Sequence, residues 1–189
     1  MSEIPDAFTG GWVRQGISLD GGPFREDSVV WWLQGPVIHA DLRVPIRRTE
    51  VTVDSTCFAG VTSWDGMALT WTRKVDLELY DGIDTGTATW DGADLLEAGE
   101  FDNGDGTTTS YVERWVRLPE STDPLWAEER DGLYAVRAGA YALTVSDERK
   151  RGGDFHGTAW IRSGDDWTVH HTLAGTAPAP TPADVWALR

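Results

Sequence analysis

Cysteine is almost absent from this chain: Cys57 is the only one in 189 residues. One thiol excludes a disulfide framework within the chain and cannot supply the several thiolates of a structural zinc site. No run approaches the roughly 18 apolar residues that a membrane-spanning helix needs. The first residues, Met-Ser-Glu-Ile-Pro-Asp, also lack the basic and apolar regions of an export signal. We therefore expect a cytoplasmic protein with no membrane partner.

Basic residues are also scarce, with 16 lysines and arginines against 31 acidic residues and a formal net charge of −15. A chain this acidic repels the phosphates of nucleic acids and of anionic membranes, so neither is expected as its main partner. Hydrophobic residues make up 40% of the chain, which is sufficient for a packed core. The length suits one domain, or two small units that arose by duplication.

Common catalytic and cofactor-binding motifs are missing. The chain contains no nucleophile elbow, phosphate-binding loop, dinucleotide fingerprint or paired-histidine zinc helix. His170 and His171 are adjacent, but neighbouring residues of a strand face opposite ways and do not chelate one ion. The segment 102–106, Asp-Asn-Gly-Asp-Gly, has the oxygen ligands of a calcium loop without the downstream glutamate, and turn chemistry explains it equally well. We expect no metal and no cofactor.

Long stretches of helical periodicity are nearly absent, whereas short β-type runs recur between turns such as Asp65-Gly66 and Asp91-Gly92. Both pairs suit tight hairpins because their residues tolerate positive φ. The pattern predicts an all-β protein, an antiparallel barrel of about 10–12 strands with a short Pro-rich C-terminal arm or helix at 176–189. Short helical segments are also predicted at Arg47–Val53 and Pro182–Leu188. The predicted strands are Trp12–Ser18, Ser28–Leu33, Ile38–Val44, Thr56–Ser63, Met67–Leu77, Thr85–Trp90, Asp94–Glu100, Ser110–Leu118, Leu133–Arg137, Ala140–Asp147, Phe155–Arg162 and Trp167–Leu173.

Short sequence patterns recur in the same order about 100 residues apart. Trp-Val-Arg occurs at 12–14 and at 115–117, and Phe-x-Gly at 58–60 is repeated at 155–157. These echoes are consistent with a duplication inside a single domain that spans residues 8–175. The half-repeats would then cover residues 8–100 and 110–175.

Alternation in the strand Ile38–Val44 separates an apolar face from a face with His39, Asp41 and Arg43. The simpler interpretation turns the apolar face toward the core and the charged face toward solvent. However, the preceding run Val29–Leu33 is apolar on both faces, which indicates a strand that is covered on both sides. The charged face of the next strand could therefore also be covered.

Two further strands combine aromatic and ionisable residues on one face. In Met67–Leu77, Arg73 shares a face with Leu69 and Trp71, so it either reaches water at the barrel mouth or binds an anion in a cavity. In Ser110–Leu118, the shared face carries Tyr111, Glu113 and Trp115. This second face is either a pocket wall with one ionisable group or a solvent-facing surface with two aromatic residues.

His171 shares a strand face with Trp167, Val169 and Leu173. A histidine on an apolar face is a satisfied core residue, a proton carrier or an axial ligand of haem.

The opening segment Phe-Thr-Gly-Gly-Trp at 8–12 resembles the Gly-x-Trp start of the calycins, which are lipocalin-like β-barrels. The blocks at 30–34 and 40–45, with Glu-Arg-Trp at 113–115, resemble a little-characterised bacterial group. That group is similar to fungal kinase-interacting proteins built from two lipocalin-like units. The likeness covers about residues 8–175 and implies a lipocalin-like barrel, but it brings no established activity. Haem-binding nitrobindins share a small barrel and a late histidine that His171 mimics, although this chain departs from them in its second half.

The leading function predicted from the sequence is binding of a small, mostly apolar molecule, with or without an anionic group, in a barrel cavity. The expected ligand-binding residues are Trp12, Arg43, Trp71, Arg73, Tyr111 and Trp115.

Two alternatives stay open, and the sequence does not decide whether the protein is an enzyme. The first is a cofactor-independent isomerase, cyclase or decarboxylase in the same cavity, with Glu113 or His171 moving a proton. The second is a protein-interaction barrel with a filled core, whose exposed tryptophans bind a protein partner.

Overall fold

A computed structural model describes residues 3–46, 55–80 and 82–173 of the chain. The segment Arg47–Val53, the C-terminal arm and its helix at Pro182–Leu188 lie outside these residues. The described residues form thirteen antiparallel strands and two single-turn helices, Asp6–Phe8 and Arg149–Arg151, neither long enough to cross a membrane. The strands are β1 (Gly10–Leu19), β2 (Ser28–Gln34), β3 (Ile38–Pro45), β4 (Thr56–Trp64), β5 (Ala68–Asp76), β6 (Ile83–Asp91), β7 (Asp94–Asp102), β8 (Thr108–Arg117), β9 (Leu125–Arg130), β10 (Leu133–Ala138), β11 (Tyr141–Asp147), β12 (Phe155–Ser163) and β13 (Asp166–Leu173).

The strands divide into a closed barrel and a separate sheet. Strands β1 to β8 pair in chain order, and β8 closes the barrel against β1, with Val116 opposite Val13. Strands β9 to β13 pair with one another in a five-stranded sheet. The predicted all-β, antiparallel class is confirmed, and the barrel closes with eight strands because the last five form their own sheet. The change of sheet falls between Arg117 and Leu125, while the half-repeats at 8–100 and 110–175 stay a prediction.

The five-stranded sheet packs against the outer face of β2, β3 and β4. Trp31, Leu33 and Leu42 share one apolar cluster with Val136 and Leu143 of the sheet. This arrangement explains the run at 29–33 that is apolar on both faces, because alternate residues of β2 point into the barrel and toward the sheet. The prediction that this strand is covered on both sides is confirmed.

The charged face of strand β3 therefore points into the barrel, and not toward solvent as the simpler interpretation of its pattern predicts. Ala40 and Leu42 face the second sheet, outside the barrel, and both are fully buried. His39, Asp41 and Arg43 face the barrel interior, where all three line one cavity. The prediction of a charged face in solvent is wrong, because the apolar cover of this strand lies on the outside of the barrel.

A β-bulge between β4 and β5 changes which residues of β5 face inward. Ala59 pairs with Val75, whereas Gly60 pairs with Arg73, so Lys74 is the extra residue. A Cβ atom on Gly60 would lie 2.0 Å from the carbonyl oxygen of Thr72, so this close approach requires glycine. Beyond the bulge, Val75 joins the cluster outside the barrel rather than the face of Arg73 that strict alternation predicts.

Aromatic residues close one end of the barrel. The ring of Phe8 lies 4.9 Å from that of Trp64 and 5.6 Å from that of Trp90. The Arg117 guanidinium covers the ring of Trp12 at 4.0 Å and donates hydrogen bonds to the backbone carbonyls of Ala7 and Thr9. Any space inside the barrel therefore lies toward the other end.

Docking of the second sheet should protect the single thiol. Cys57 is fully buried between the barrel and the sheet, and burial raises the pKa of its thiol. A Cβ atom on Gly157 of β12 would lie 2.7 Å from the Cys57 sulfur. We expect the native thiol to resist a disulfide reagent such as dithionitrobenzoate, and Gly157→Ala to raise its reaction rate by about tenfold or more by loosening the sheet. Thr172→Ala, on the exposed strand β13, is the control and should react like the wild type; equal rates in all three proteins would contradict this packing.

Candidate functional site

The barrel interior contains a cavity of about 680 Å³. It extends from the tryptophans near the closed end to the opposite end of the barrel, where Tyr80, Ile83 and Phe101 line it. The lining combines aromatic rings with charged side chains, and seven carboxylates stand against two arginines. This composition makes the cavity an acidic compartment with aromatic walls.

Three tryptophans form the inner wall of the cavity. The rings of Trp71 and Trp115 approach the ring of Trp32 edge-on, with centroid distances of 5.6 and 5.5 Å. Such edge-to-face contacts add to the burial of the rings themselves. The indole nitrogen of Trp32 donates to Gln34 Oε1 at 3.0 Å, and that of Trp115 donates to Glu97 Oε2 at 3.0 Å. These hydrogen bonds fix the orientation of both rings.

Arg43 reaches the cavity with a carboxylate partner on its own strand. Its guanidinium binds the Asp41 carboxylate through two hydrogen bonds of 2.9 and 3.4 Å, and it also lies over the Phe58 ring at 5.4 Å. Burial raises the pKa of Asp41, while the Arg43 charge acts in the opposite direction. The two side chains form a local ion pair inside the barrel.

Arg73 is held between two carboxylates and an aromatic face. It donates to Asp76 at 2.7 Å and to Asp84 at 3.0 Å, and its guanidinium lies 3.7 Å from the centre of the Phe58 ring. The bulge at Gly60 makes this possible, because it brings Asp76 to the same face as Arg73. Arg73 therefore points inward, as the sequence predicted, and is neutralised within the protein.

A third inward arginine was not predicted as part of the site. Arg14 donates to Glu26 at 2.8 Å and makes a short contact with Glu113. Its side chain is only 9% exposed, so the contact neutralises Glu113 within a buried setting. Glu113, one of the two predicted proton carriers, thus has a fixed cationic partner.

Glu97 differs from the other two buried carboxylates of the cavity lining, Asp41 and Glu113, because it has no salt bridge to an arginine within the described residues. It accepts hydrogen bonds from Trp115 and from the Tyr111 hydroxyl, at 3.0 and 3.3 Å, and stands directly opposite Glu113 across the β7–β8 pair. Burial, together with the Glu113 charge, raises the pKa of Glu97 to about 8. Glu97 is therefore mostly a neutral carboxylic acid at pH 7.

A chain of hydrogen bonds determines the protonation of His39. The Gln34 amide nitrogen donates to two backbone carbonyls, so its oxygen accepts, and the Thr62 hydroxyl donates to that oxygen at 2.9 Å. Thr62 must then accept from His39 Nδ1, 3.0 Å away. Nε2 of His39 consequently carries a lone pair, is buried and has no partner within the described residues. Burial lowers the pKa of His39 to about 3, which keeps the ring neutral.

The structure brings together most of the residues predicted from the sequence. Trp12 instead lies in the closed end, with its ring 6.0 Å from that of Trp32. His171 lies on β13 of the second sheet, 4.5 Å from the His170 ring, and is not among the residues that line the cavity. The predicted residues that do line it are Arg43, Trp71, Arg73, Tyr111, Glu113 and Trp115.

Sequence reasoning missed His39, Phe58 and Glu97 as cavity residues. The signal for Glu97 was present, because alternation in β7 places it on the same face as the buried Leu95. His39 belongs to the charged face of β3, which the simpler interpretation of the pattern turns toward solvent.

The segment 102–106 connects β7 and β8 as a turn. Asp102 Oδ1 accepts from the backbone nitrogen of Gly104 at 2.8 Å, and Asp105 Oδ1 accepts from that of Thr107 at 2.9 Å. The aspartate oxygens that resembled calcium ligands are thus used to shape the turn.

Comparison of the chain with family models, curated proteins and solved structures finds no match. The closed barrel of eight antiparallel strands is compatible with a calycin or lipocalin-like fold. The likeness to the bacterial group stays a prediction.

Glu97 and His39 give opposite pH dependences of stability. Between about pH 4.5 and 8 folded Glu97 holds a proton that the unfolded chain releases, so stability falls as pH rises. Between about pH 3 and 6.5 unfolded His39 binds a proton that the folded state excludes, so stability rises with pH. The two effects oppose each other up to pH 6.5, above which only the Glu97 effect continues.

We therefore expect the free energy of unfolding to fall by about 1–2 kcal/mol between pH 6.5 and pH 8. Glu97→Gln should flatten this dependence, because glutamine does not titrate. The exposed Glu100→Gln on the same strand should retain it. Urea unfolding at both pH values measures the slopes, and a Glu97→Gln slope equal to that of the wild type would refute the assignment.

Proposed function

We propose that this protein binds a small amphipathic molecule inside the barrel. The observation that carries the proposal is the 680 Å³ cavity, with its tryptophan wall and its buried polar groups. Ligand pockets of roughly 300–1,000 Å³ are typical of proteins that enclose a small molecule. A closed barrel of eight strands is wide enough to hold one such ligand where side chains do not fill it.

The composition of the lining favours an amphipathic ligand over a purely apolar one. Trp32, Trp71 and Trp115 offer flat apolar surfaces to a hydrophobic or aromatic body. Beside them lie the carboxyl group of Glu97 and the ring of His39, whose buried Nε2 has no partner among the described residues. Burying polar groups without partners is unfavourable, so a ligand with a polar end suits this cavity better.

Cofactor-independent acid–base catalysis is the second candidate, and the Glu97–Glu113 pair is the observation that favours it. One member of the pair is a neutral acid at pH 7, and the other is a carboxylate held by Arg14. Two carboxyl groups with different protonation states in one cavity are what a general acid and a general base require. An isomerase, cyclase or decarboxylase would use Glu97 to donate a proton and Glu113 to accept one.

The remaining alternative is a protein-interaction barrel, which the sequence analysis describes as having a filled core. The cavity supports ligand binding over this alternative. A protein partner stays a prediction from the sequence.

Native mass spectrometry of protein purified from its own host, compared with the denatured mass, tests ligand binding. We expect additional mass that disappears on denaturation. Trp71→Ala should reduce the occupied fraction about tenfold, because it removes one aromatic surface of the cavity. Trp167→Ala, in the second sheet, should leave occupancy unchanged.

The binding proposal is wrong if the wild-type protein carries no additional mass and if no amphipathic compound raises its melting temperature. Glu97→Gln distinguishes catalysis from binding: under the catalytic alternative it should abolish proton exchange between the ligand and solvent even when enough ligand is added to saturate the site.

A further inference from the structure

Resting on the proposed ligand-binding function, we infer that the polar end of the ligand is an organic cation: an ammonium group that binds beside Glu97 and against the aromatic rings of the cavity. The inference names the chemical class of the ligand. Three independent features of the cavity carry it: its charge balance, its hydrogen-bond balance and its aromatic walls.

The charge balance follows from counting pairs inside the barrel. Each inward arginine is already matched by at least one carboxylate: Arg14 by Glu113, Arg43 by Asp41, and Arg73 by Asp76 and Asp84. Of the three buried carboxylates that line the cavity, Asp41, Glu97 and Glu113, Glu97 is the one with no arginine partner among the described residues; the lining carboxylates Glu78, Glu100 and Asp102 are exposed. An anionic ligand group would have to displace a carboxylate from an arginine, whereas a cationic group would supply the partner that Glu97 does not have.

The hydrogen-bond balance points the same way. The indole N–H groups of Trp32 and Trp115 and the hydroxyl of Tyr111 are all donated to protein acceptors. In contrast, His39 lines the cavity as an acceptor, and its buried Nε2 has no donor partner within the described residues. A ligand that brings N–H or O–H donors would satisfy this atom, and an ammonium ligand is rich in donors.

The aromatic walls supply the remaining contribution. Trp115 and Tyr111 hold Glu97 through their N–H and O–H edges, and the rings of Trp32, Trp71 and Phe58 line the same cavity. Cations bind to aromatic faces, most strongly to tryptophan and in sites removed from water. Phe58 already binds two arginine guanidiniums in this way inside the same barrel.

Binding of a cation should be coupled to ionisation of Glu97. A cation stabilises the carboxylate over the acid, so binding below pH 8 releases a proton and becomes tighter as pH rises from 6.5 to 8. The charged groups around Glu97 in the barrel interior are held in ion pairs: Glu113 with Arg14, Asp41 with Arg43, and Arg73 with Asp76 and Asp84. The remaining carboxylates of the cavity lining, Glu78, Glu100 and Asp102, are exposed.

The test uses three soluble probes that share a phenyl ring and differ in the charge of the end group: 2-phenylethylammonium, 2-phenylethanol and phenylacetate. Isothermal titration calorimetry in two buffers of different ionisation enthalpy measures affinity and proton release together. We expect the cation to bind about tenfold or more tightly than the alcohol, and the anion to bind most weakly. An alkylammonium, like that of lysine, stays protonated throughout this pH range.

Glu97→Gln should lower the affinity for the cation to about that of the alcohol and abolish proton release, while leaving the affinity for the alcohol unchanged. Glu148→Gln, at an exposed position outside the cavity, controls for general loss of negative charge and should behave like the wild type.

The outcomes separate this inference from the function on which it rests. If the alcohol or the anion binds as well as the cation, the ligand is not a cation, but ligand binding in the barrel stands. If none of the three binds at millimolar concentration, the cation inference is overturned, and the mass measurement alone decides ligand binding. If the cation binds with the same affinity to Glu97→Gln, the site is not at Glu97 and the inference fails.

Discussion

The packing of the five-stranded sheet on the outside of β2, β3 and β4 is the contact on which the rest of the structure depends. A closed barrel of eight strands usually obtains its hydrophobic core by filling its interior with apolar side chains. Here much of that core lies outside the barrel, where Leu42 and Cys57 meet Val136 and Leu143 of the sheet. The interior beyond the tryptophan wall is therefore free to contain charged groups and a cavity.

Charged groups in a barrel interior are costly unless they are paired, and this barrel pairs nearly all of them. Three arginines from β1, β3 and β5 each contact carboxylates, and the bulge at Gly60 places Arg73 and Asp76 on one face. Glu97 is the exception, held by an indole and a phenol rather than by a cation. Both candidate functions use this exception: catalysis needs its proton, and binding of an organic cation needs its ionised form.

The candidate site was predicted from the sequence to a considerable degree. Alternation placed Tyr111, Glu113 and Trp115 on one face, and all three line the cavity. Alternation also predicted that Arg73 faces inward, which is correct. After the bulge, however, the residues of β5 that alternation predicts to face inward face outward, as Val75 does. Trp12 faces the barrel interior and is fully buried, but it lies at the closed end and not in the cavity. Strand alternation predicts which face a residue occupies, but it does not predict how far along the barrel axis the residue lies.

The sequence by itself determined the all-β, antiparallel class, the hairpin turns and the sets of residues that share a face, because these depend on local backbone preferences and on the two-residue period of a strand. Only the tertiary structure decided which face of β3 is inside, since both faces are covered and only the docked sheet distinguishes them. It alone also brought Glu97 opposite Glu113 and left His39 Nε2 without a donor. The chemistry of the cavity thus arises from contacts between strands far apart in the chain, which no local pattern encodes.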